Sequence, residues 1–212
     1  MEVVRELLAR GAAVDIATDD GATPLFIASE KGHLEVMREL LARGAGVDTA
    51  SNDGATPLFI ASQEGHSEVV RELLARGAAV DTARIGVWTP LYIASQKGHL
   101  VVVRELLARG AAVDAAINNG ATPLLIASIS GHLEVVQELI ARGSAVDTAM
   151  DGDFTPLYFA STYGHLAVVR ELLARGAAPG LVARNGATAL SRATANGHLA
   201  IAQLLRAALA AA

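Results

Sequence analysis

The chain has 212 residues, a formal net charge of -5 and no cysteine, which excludes a disulfide framework, a thiol nucleophile and a thiolate metal site. The acidic balance argues against general affinity for nucleic acid or an anionic membrane. Apolar residues make up 52% of the chain and aromatics only 4%, so Ala, Leu and Val suited to tightly packed short helices dominate, and any clustering of aromatics is informative.

In chain order, residues 1–11 supply one amphipathic helix ending at Gly11, with Val3 and Leu7 expected to be partly exposed. From there the pattern becomes periodic. Thr23, Thr56, Thr89, Thr122, Thr155 and Thr188 stand 33 residues apart, a spacing that signals a repeat array. In the repeat from Ala50, Ser51-Asn52-Asp53-Gly54-Ala55 reads as a turn. Thr56 is a good N-cap and Pro57 fits the first helical position. The first helix runs to about Gln63-Glu64, where Gly65 stops it; a second starts near His66, runs to Arg76 and is closed by Gly77. Glu72 and Arg76 form a favourably oriented i,i+4 pair that recurs as Glu39/Arg43, Glu105/Arg109, Glu138/Arg142 and Glu171/Arg175. Neither helix can bury its apolar stripe alone, so neighbouring units must stack.

Full repeats thus open near residues 17, 50, 83, 116 and 149, after a half repeat over 1–11 and before a capping repeat at about 182–212. In that last unit Thr188-Ala189-Leu190 loses the proline, while Ser191, Arg192, Asn196 and Gln203 add the polarity that a cap requires. A stack has one continuous core, so 1–212 is expected to be a single domain. No signal peptide or membrane-length apolar run appears. A soluble protein is expected, cytoplasmic or recombinant, without a targeting signal.

Periodicity also removes most candidates for chemistry. His33, His66, His99, His132, His165 and His198 share one phase, as do Ser29, Ser62, Ser95, Ser128 and Ser161, and as do Asp48, Asp81, Asp114 and Asp147. Residues required in every unit are structural before they are ligands, nucleophiles or acids. Once they are set aside no Ser-His-Asp set, metal-spaced group or phosphate-binding glycine loop remains. No catalytic residue, metal or cofactor is assigned, and an enzyme is not expected. Most arginines sit at two phases of the second helix and pair with glutamate, so no phosphate-tracking stripe is present.

The unit resembles the ankyrin repeat, through Thr23-Pro24-Leu25, Gly32-His33-Leu34 and the closing Gly44-Ala45, over nearly the whole chain. The family's histidine after that leucine is replaced by Phe26, Phe59, Tyr92, Leu125, Tyr158 and Ser191, so its loop hydrogen bonds should be absent. Ala28-Ser29 and its equivalents replace the usual Ala-Ala. The resemblance implies an all-α solenoid, a right-handed stack of helix-turn-helix units joined by hairpin-like turns. It also implies protein recognition through the turn tips and the concave surface lined by the first helices.

Two repeats depart from the rest in the same way. Where the others read Asp20-Gly21-Ala22, Asp53-Gly54-Ala55, Asn119-Gly120-Ala121 and Asn185-Gly186-Ala187, two read Arg84-Ile85-Gly86-Val87-Trp88 and Met150-Asp151-Gly152-Asp153-Phe154. Glycine moves one place earlier and an aromatic replaces alanine, a local violation expected of function rather than folding. At the end of the first helix, Glu30/Lys31, Gln63/Glu64 and Gln96/Lys97 give way to Ile129/Ser130 and Thr162/Tyr163. The candidate contacts to a folded protein partner are therefore Arg84, Ile85, Val87 and Trp88, then Ile117, Asn118, Ile129 and Ser130, then Met150, Asp151, Asp153, Phe154, Thr162 and Tyr163, expected to form one patch. Tyr92 and Tyr158 join this set either as contacts or as packing beneath the turns. Phe159, in place of Ile27 and its equivalents, reads as packing. Near-identical units that vary at contact phases resemble engineered or library-selected members of the family. The alternatives are a natural scaffold or effector array and a self-assembling solenoid with homotypic contacts through its uncapped N-terminal end.

Overall fold

The computed structural model describes residues 2–84 and 88–211. Ile85 and Val87 of the candidate set, with Gly86 between them, lie outside the described residues. The described residues form thirteen helices and no strand. They group into two compact units, one comprising 1–94 with 101–111, the other 95–100 with 112–212.

The first unit starts with α1 (Glu2–Ala9), followed by the pairs α2 (Pro24–Glu30) with α3 (Leu34–Ala42) and α4 (Pro57–Glu64) with α5 (Ser67–Ala75). Most of α6 (Pro90–Lys97) and α7 (Leu100–Ala108) also belongs to it. The second unit holds α8 (Pro123–Ser130) with α9 (Leu133–Ala141), α10 (Pro156–Tyr163) with α11 (Leu166–Ala174), and α12 (Ala189–Ala195) with α13 (Leu199–Ala211). Within the first unit α2 packs on α3 and α4, α4 on α5, and α3 on α5; within the second, α8, α10 and α12 pack in sequence, as do α9, α11 and α13.

The helix starts follow from the sequence. Each threonine Oγ1 accepts the amide three residues on, at 3.1–3.2 Å, for Phe26, Phe59, Tyr92, Leu125, Tyr158 and Ser191. Ser191 Oγ accepts from Thr188 N–H at 2.9 Å and closes a capping box. The apolar stripes face inward: Leu58, Phe59, Val70 and Leu73 are buried in the first unit, and Leu124, Leu125, Val136, Leu139, Leu157 and Leu172 in the second. Each such side chain contributes about 1.5–3 kcal/mol by leaving water. Val3 and Leu7 on α1 are 71% and 55% exposed.

Polar contacts tie neighbouring repeats together. Nε2 of His66, His132, His165 and His198 lies 2.9–3.1 Å from the carbonyl oxygens of Glu30, Gln96, Ile129 and Thr162, each at the end of the preceding first helix. The ring lies close against a glycine: a Cβ at Gly131 would come within 2.6 Å of His165. That contact explains the Gly-His pairing at fixed phase. The aspartates are loop acceptors, Asp48 for Ala79 N–H at 3.1 Å and Asp147 for Ala178 N–H at 3.1 Å.

Within the second helices the ion pairs Glu39/Arg43, Glu72/Arg76, Glu138/Arg142 and Glu171/Arg175 form at 2.8–3.3 Å. The other arginine phase reaches the glutamate of the next repeat: Arg5 to Glu39 at 3.2 Å, Arg38 to Glu72 at 3.1 Å and Arg71 to Glu105 at 2.6 Å. Gln137 keeps that link as an amide donor to Glu171 at 3.0 Å. Glu72 is thereby held between two arginines. Burial pushes its carboxyl upward, but the hydrogen bonds and charges of Arg38 and Arg76 outweigh it and hold the group below its usual range. For Glu171 the Gln137 amide is the main cause of the lowering, with Arg175 adding to it and burial opposing.

Two stability predictions follow from these contacts. Ser62, Ser95 and Ser161 are fully buried with hydroxyls that reach no acceptor among the described residues, whereas Ser29 and Ser128 donate to the carbonyls of Leu25 and Leu124 at 2.7 and 2.8 Å. Replacing any of the first three by alanine should stabilise by roughly 1 kcal/mol, and Ser29→Ala or Ser128→Ala by less or not at all, as read from denaturant melts. A carboxyl whose folded pKa is depressed contributes stability that is complete above its unfolded value and is lost as pH falls through the folded value. The melting temperature should therefore stay level from neutrality to about pH 5 and drop below about pH 4, with Glu72→Gln making the drop shallower.

Candidate protein-binding face

The ordinary turn is a short hairpin built on glycine. Thr18 N–H donates to Ala22 O at 3.1 Å and Gly21 N–H to Thr18 O at 2.8 Å, with Gly21 at φ +82°. The turns at Ser51–Ala55, Ile117–Ala121 and Ala183–Ala187 repeat both bonds. Adjacent tips are joined through the backbone, by Asn52 N–H to Asp20 O at 2.9 Å in the first unit. In the second unit the same links run from Asp151 N–H to Asn119 O at 2.7 Å and from Arg184 N–H to Gly152 O at 2.8 Å.

The turn at Met150–Phe154 keeps this frame with the wrong residues for it. Met150 N–H donates to Phe154 O at 3.1 Å and Asp153 N–H to Met150 O at 3.0 Å. Asp153 thus occupies the left-handed position that Gly21, Gly54, Gly120 and Gly186 fill in the ordinary turns. At φ +63° it is the one non-glycine residue with positive φ among those described. Such a conformation costs an L-residue energy, less for Asp than for most. Gly152, at φ +89°, leaves room for the Phe154 ring: a Cβ there would meet the ring edge at 2.6 Å and displace it. Phe154 folds back over the turn and begins an aromatic run, 4.9 Å between ring centroids to Tyr158 and 5.8 Å to Phe159. Phe159 in turn lies 6.3 Å from Tyr163 with the rings nearly parallel.

In the first unit the Arg84 turn is closed by Arg84 N–H to Trp88 O at 3.0 Å. Trp88 stacks on Tyr92 at 6.5 Å. The Arg84 guanidinium lies over the rings of Phe59 and Trp88, at 5.7 and 5.9 Å, and is ion-paired to Asp53. A hydrogen bond from Ser51 is the main reason that the Asp53 carboxyl lies below its usual range; Ala55 N–H and Arg84 add to it, against burial.

The candidate residues divide by exposure. Trp88 is 40% and Tyr163 55% exposed; Asn118, Asp151 and Asp153 are also exposed, while Arg84, Ile117, Ile129, Ser130, Met150, Phe154 and Thr162 are half-buried. Tyr92 and Tyr158 are buried, at 5% and 8%, so their rings are the packing beneath Trp88 and Phe154; burial also raises the Tyr92 phenol above its usual value. Arg84, Trp88 and Tyr92 belong to the first unit and the residues from Ile117 to Tyr163 to the second. Phe159 is half-buried and bridges Phe154 to Tyr163, a part that its reading as packing alone missed. The signal was its place four residues before Tyr163, one turn along α10. Among the described residues no group of three or more His, Cys, Asp or Glu is placed to hold a metal ion, and no helix is long and apolar enough to cross a membrane.

Helix pairs stacked at a constant period, with capped first helices and hairpin tips, define an all-α repeat solenoid. The family model for ankyrin repeats, in three copies, matches residues 1–84, 81–150 and 144–211, and the chain belongs to the ankyrin-repeat family. Ankyrin repeats are generally protein-interaction modules and typically non-catalytic. No curated protein matches the chain.

If Asp153 is strained, glycine should relieve it. Asp153→Gly is expected to stabilise by about 0.5–1 kcal/mol, about 2 °C in melting temperature, since the exposed Asp153–Arg184 ion pair that it removes is worth little. Calorimetry of the two proteins checks this.

Proposed function

We propose that this ankyrin-repeat array is a non-catalytic module that grips a folded protein partner through the turn tips and first-helix ends of its central and C-terminal repeats. The observation that carries the reading is the Met150–Phe154 turn, which accepts a strained Asp153 in order to hold Phe154 against Tyr158 and Phe159 and next to an exposed Tyr163. Folding alone is better served by the glycine turn used at Gly21, Gly54, Gly120 and Gly186. Trp88, braced by Tyr92 and Arg84, is proposed as a second contact. Aromatic anchors with polar rims are what protein interfaces use as hot spots. The acidic net charge supports a protein rather than a nucleic acid as the partner. A constant framework with variation at the tips supports an engineered or selected origin; a natural scaffold or effector array is the alternative.

A second reading rests on the exposed apolar side chains of the first repeat, Val3 and Leu7 with Ile16 at 70% and Ile27 at 40%. Homotypic contact through this end would give a self-assembling solenoid. Light scattering over a range of concentrations separates the two, because a partner-binding monomer keeps one mass.

The binding test uses single alanine substitutions titrated against the partner, with melts of each protein. Trp88→Ala and Tyr163→Ala should each cost about 2 kcal/mol of binding, roughly thirtyfold in dissociation constant. Both should melt close to the parent, and charge changes at Arg38 or Arg71 should leave affinity unchanged. Normal binding by both aromatic variants would reject the proposal.

A further inference from the structure

Six Asp-Gly or Asn-Gly pairs occur in the chain: Asp20-Gly21, Asp53-Gly54, Asn119-Gly120, Asp151-Gly152, Asn185-Gly186 and Asn196-Gly197. In five of them the glycine amide is already engaged. Gly21, Gly54, Gly120 and Gly186 each donate to a carbonyl three residues back at 2.8 Å, and Gly197 donates to Thr194 O at 3.2 Å. The side chains are held as well. Asp20 and Asp53 accept from Thr18 and Ser51, Asn119 and Asn185 from Ala121 and Ala187, and Asn196 donates to Thr162 O. Asp151-Gly152 differs on both counts. The shift of glycine by one place leaves the turn's amide bond to Asp153, so Gly152 N–H has no acceptor among the described residues. The Asp151 carboxylate is exposed and likewise unpartnered there.

We propose that Asp151 is a site of spontaneous covalent modification, the isomerisation of aspartate to isoaspartate, to which the other five Asp-Gly and Asn-Gly pairs are closed. The Gly152 amide nitrogen attacks Cγ of the protonated Asp151 side chain. An N–Cγ bond forms, the carboxyl OH leaves with the amide proton as water, and a five-membered succinimide results. Water then opens the ring at one of its two carbonyls. Opening at Cγ restores aspartate; opening at the main-chain carbonyl leaves the peptide bond running through Cγ, which is isoaspartate. One water leaves and one enters, so no other reagent is needed. Glycine is the one residue without a side chain to obstruct the ring, and a free amide avoids the hydrogen bond that must otherwise be broken first.

The extra backbone atom would fall between Asp151 N–H, bonded to Asn119 O, and Phe154, whose ring rests on Gly152. The same departure that displays the aromatic therefore opens the turn to chemical ageing. This inference stands on hydrogen bonding and exposure and does not depend on any partner.

The experiment incubates the whole protein at physiological temperature and mildly acidic pH, folded and in denaturing urea. Trypsin digestion and enzymatic methylation of isoaspartate then locate the product. Asp20 and Asp53 are the like-for-like comparators, since asparagine loses ammonia at a different intrinsic rate. In urea the three aspartates should react alike. In the folded protein Asp151 should exceed Asp20 and Asp53 by about tenfold, the ratio set by one backbone hydrogen bond that must open. Asp151→Glu, which keeps the charge but disfavours the ring, should abolish the signal from its peptide. Equal folded rates at the three aspartates, or product persisting in the Asp151→Glu peptide, would overturn the assignment.

Discussion

The structure depends on helices too short to stand alone. Apart from α13, none exceeds nine residues, below the length at which an isolated helix is stable in water. Each pair is therefore completed by its neighbour, and the contact that fixes their registration is the histidine ring set on a glycine and bonded to the end of the preceding first helix. The joint recurs at His66, His132, His165 and His198, which keeps glycine and histidine in phase there. Apolar burial supplies most of the energy; the joint fixes where it is spent.

The turn tips are outside that requirement. Their hydrogen-bond frame survives the loss of the usual glycine at Asp153, at the expense of a left-handed aspartate, and it still closes from Arg84 to Trp88. What replaces the small alanine in each case is a ring that finds packing locally, Phe154 on Tyr158 and Trp88 on Tyr92. The tyrosines hold the phase of Phe26, Phe59, Leu125 and Ser191, and their rings supply that support. Exposed rings are thereby held in place instead of flexing freely at a loop tip.

Much of this was legible in the sequence. The helix starts at Thr-Pro, the ends at glycine, the loop aspartates and the structural histidines follow from local chemistry repeated at one period. What periodicity leaves open is direction. Tyr92 and Trp88 are both aromatic departures, but only geometry separates the buried ring from the displayed one. The link from Arg38 to Glu72 spans 34 residues and is hidden when pairs are sought within one helix. Nor does composition show that Asp153, and not its neighbour Asp151, carries the positive φ. Phe159 reads as packing because isoleucine holds its phase elsewhere; its two ring partners show that it faces the tip as well.

One peptide unit joins the stack to the display. The Thr162 carbonyl accepts from His198 at 3.1 Å and from the Asn196 amide at 2.7 Å, while the Thr162 hydroxyl is bonded to Tyr158 O at 2.8 Å. Tyr163 is the next residue. A load applied to its ring would pass through that carbonyl to the corner between α12 and α13, where Asn196 and His198 sit. In mechanical terms that corner is an abutment: loosening it frees the footing of Tyr163.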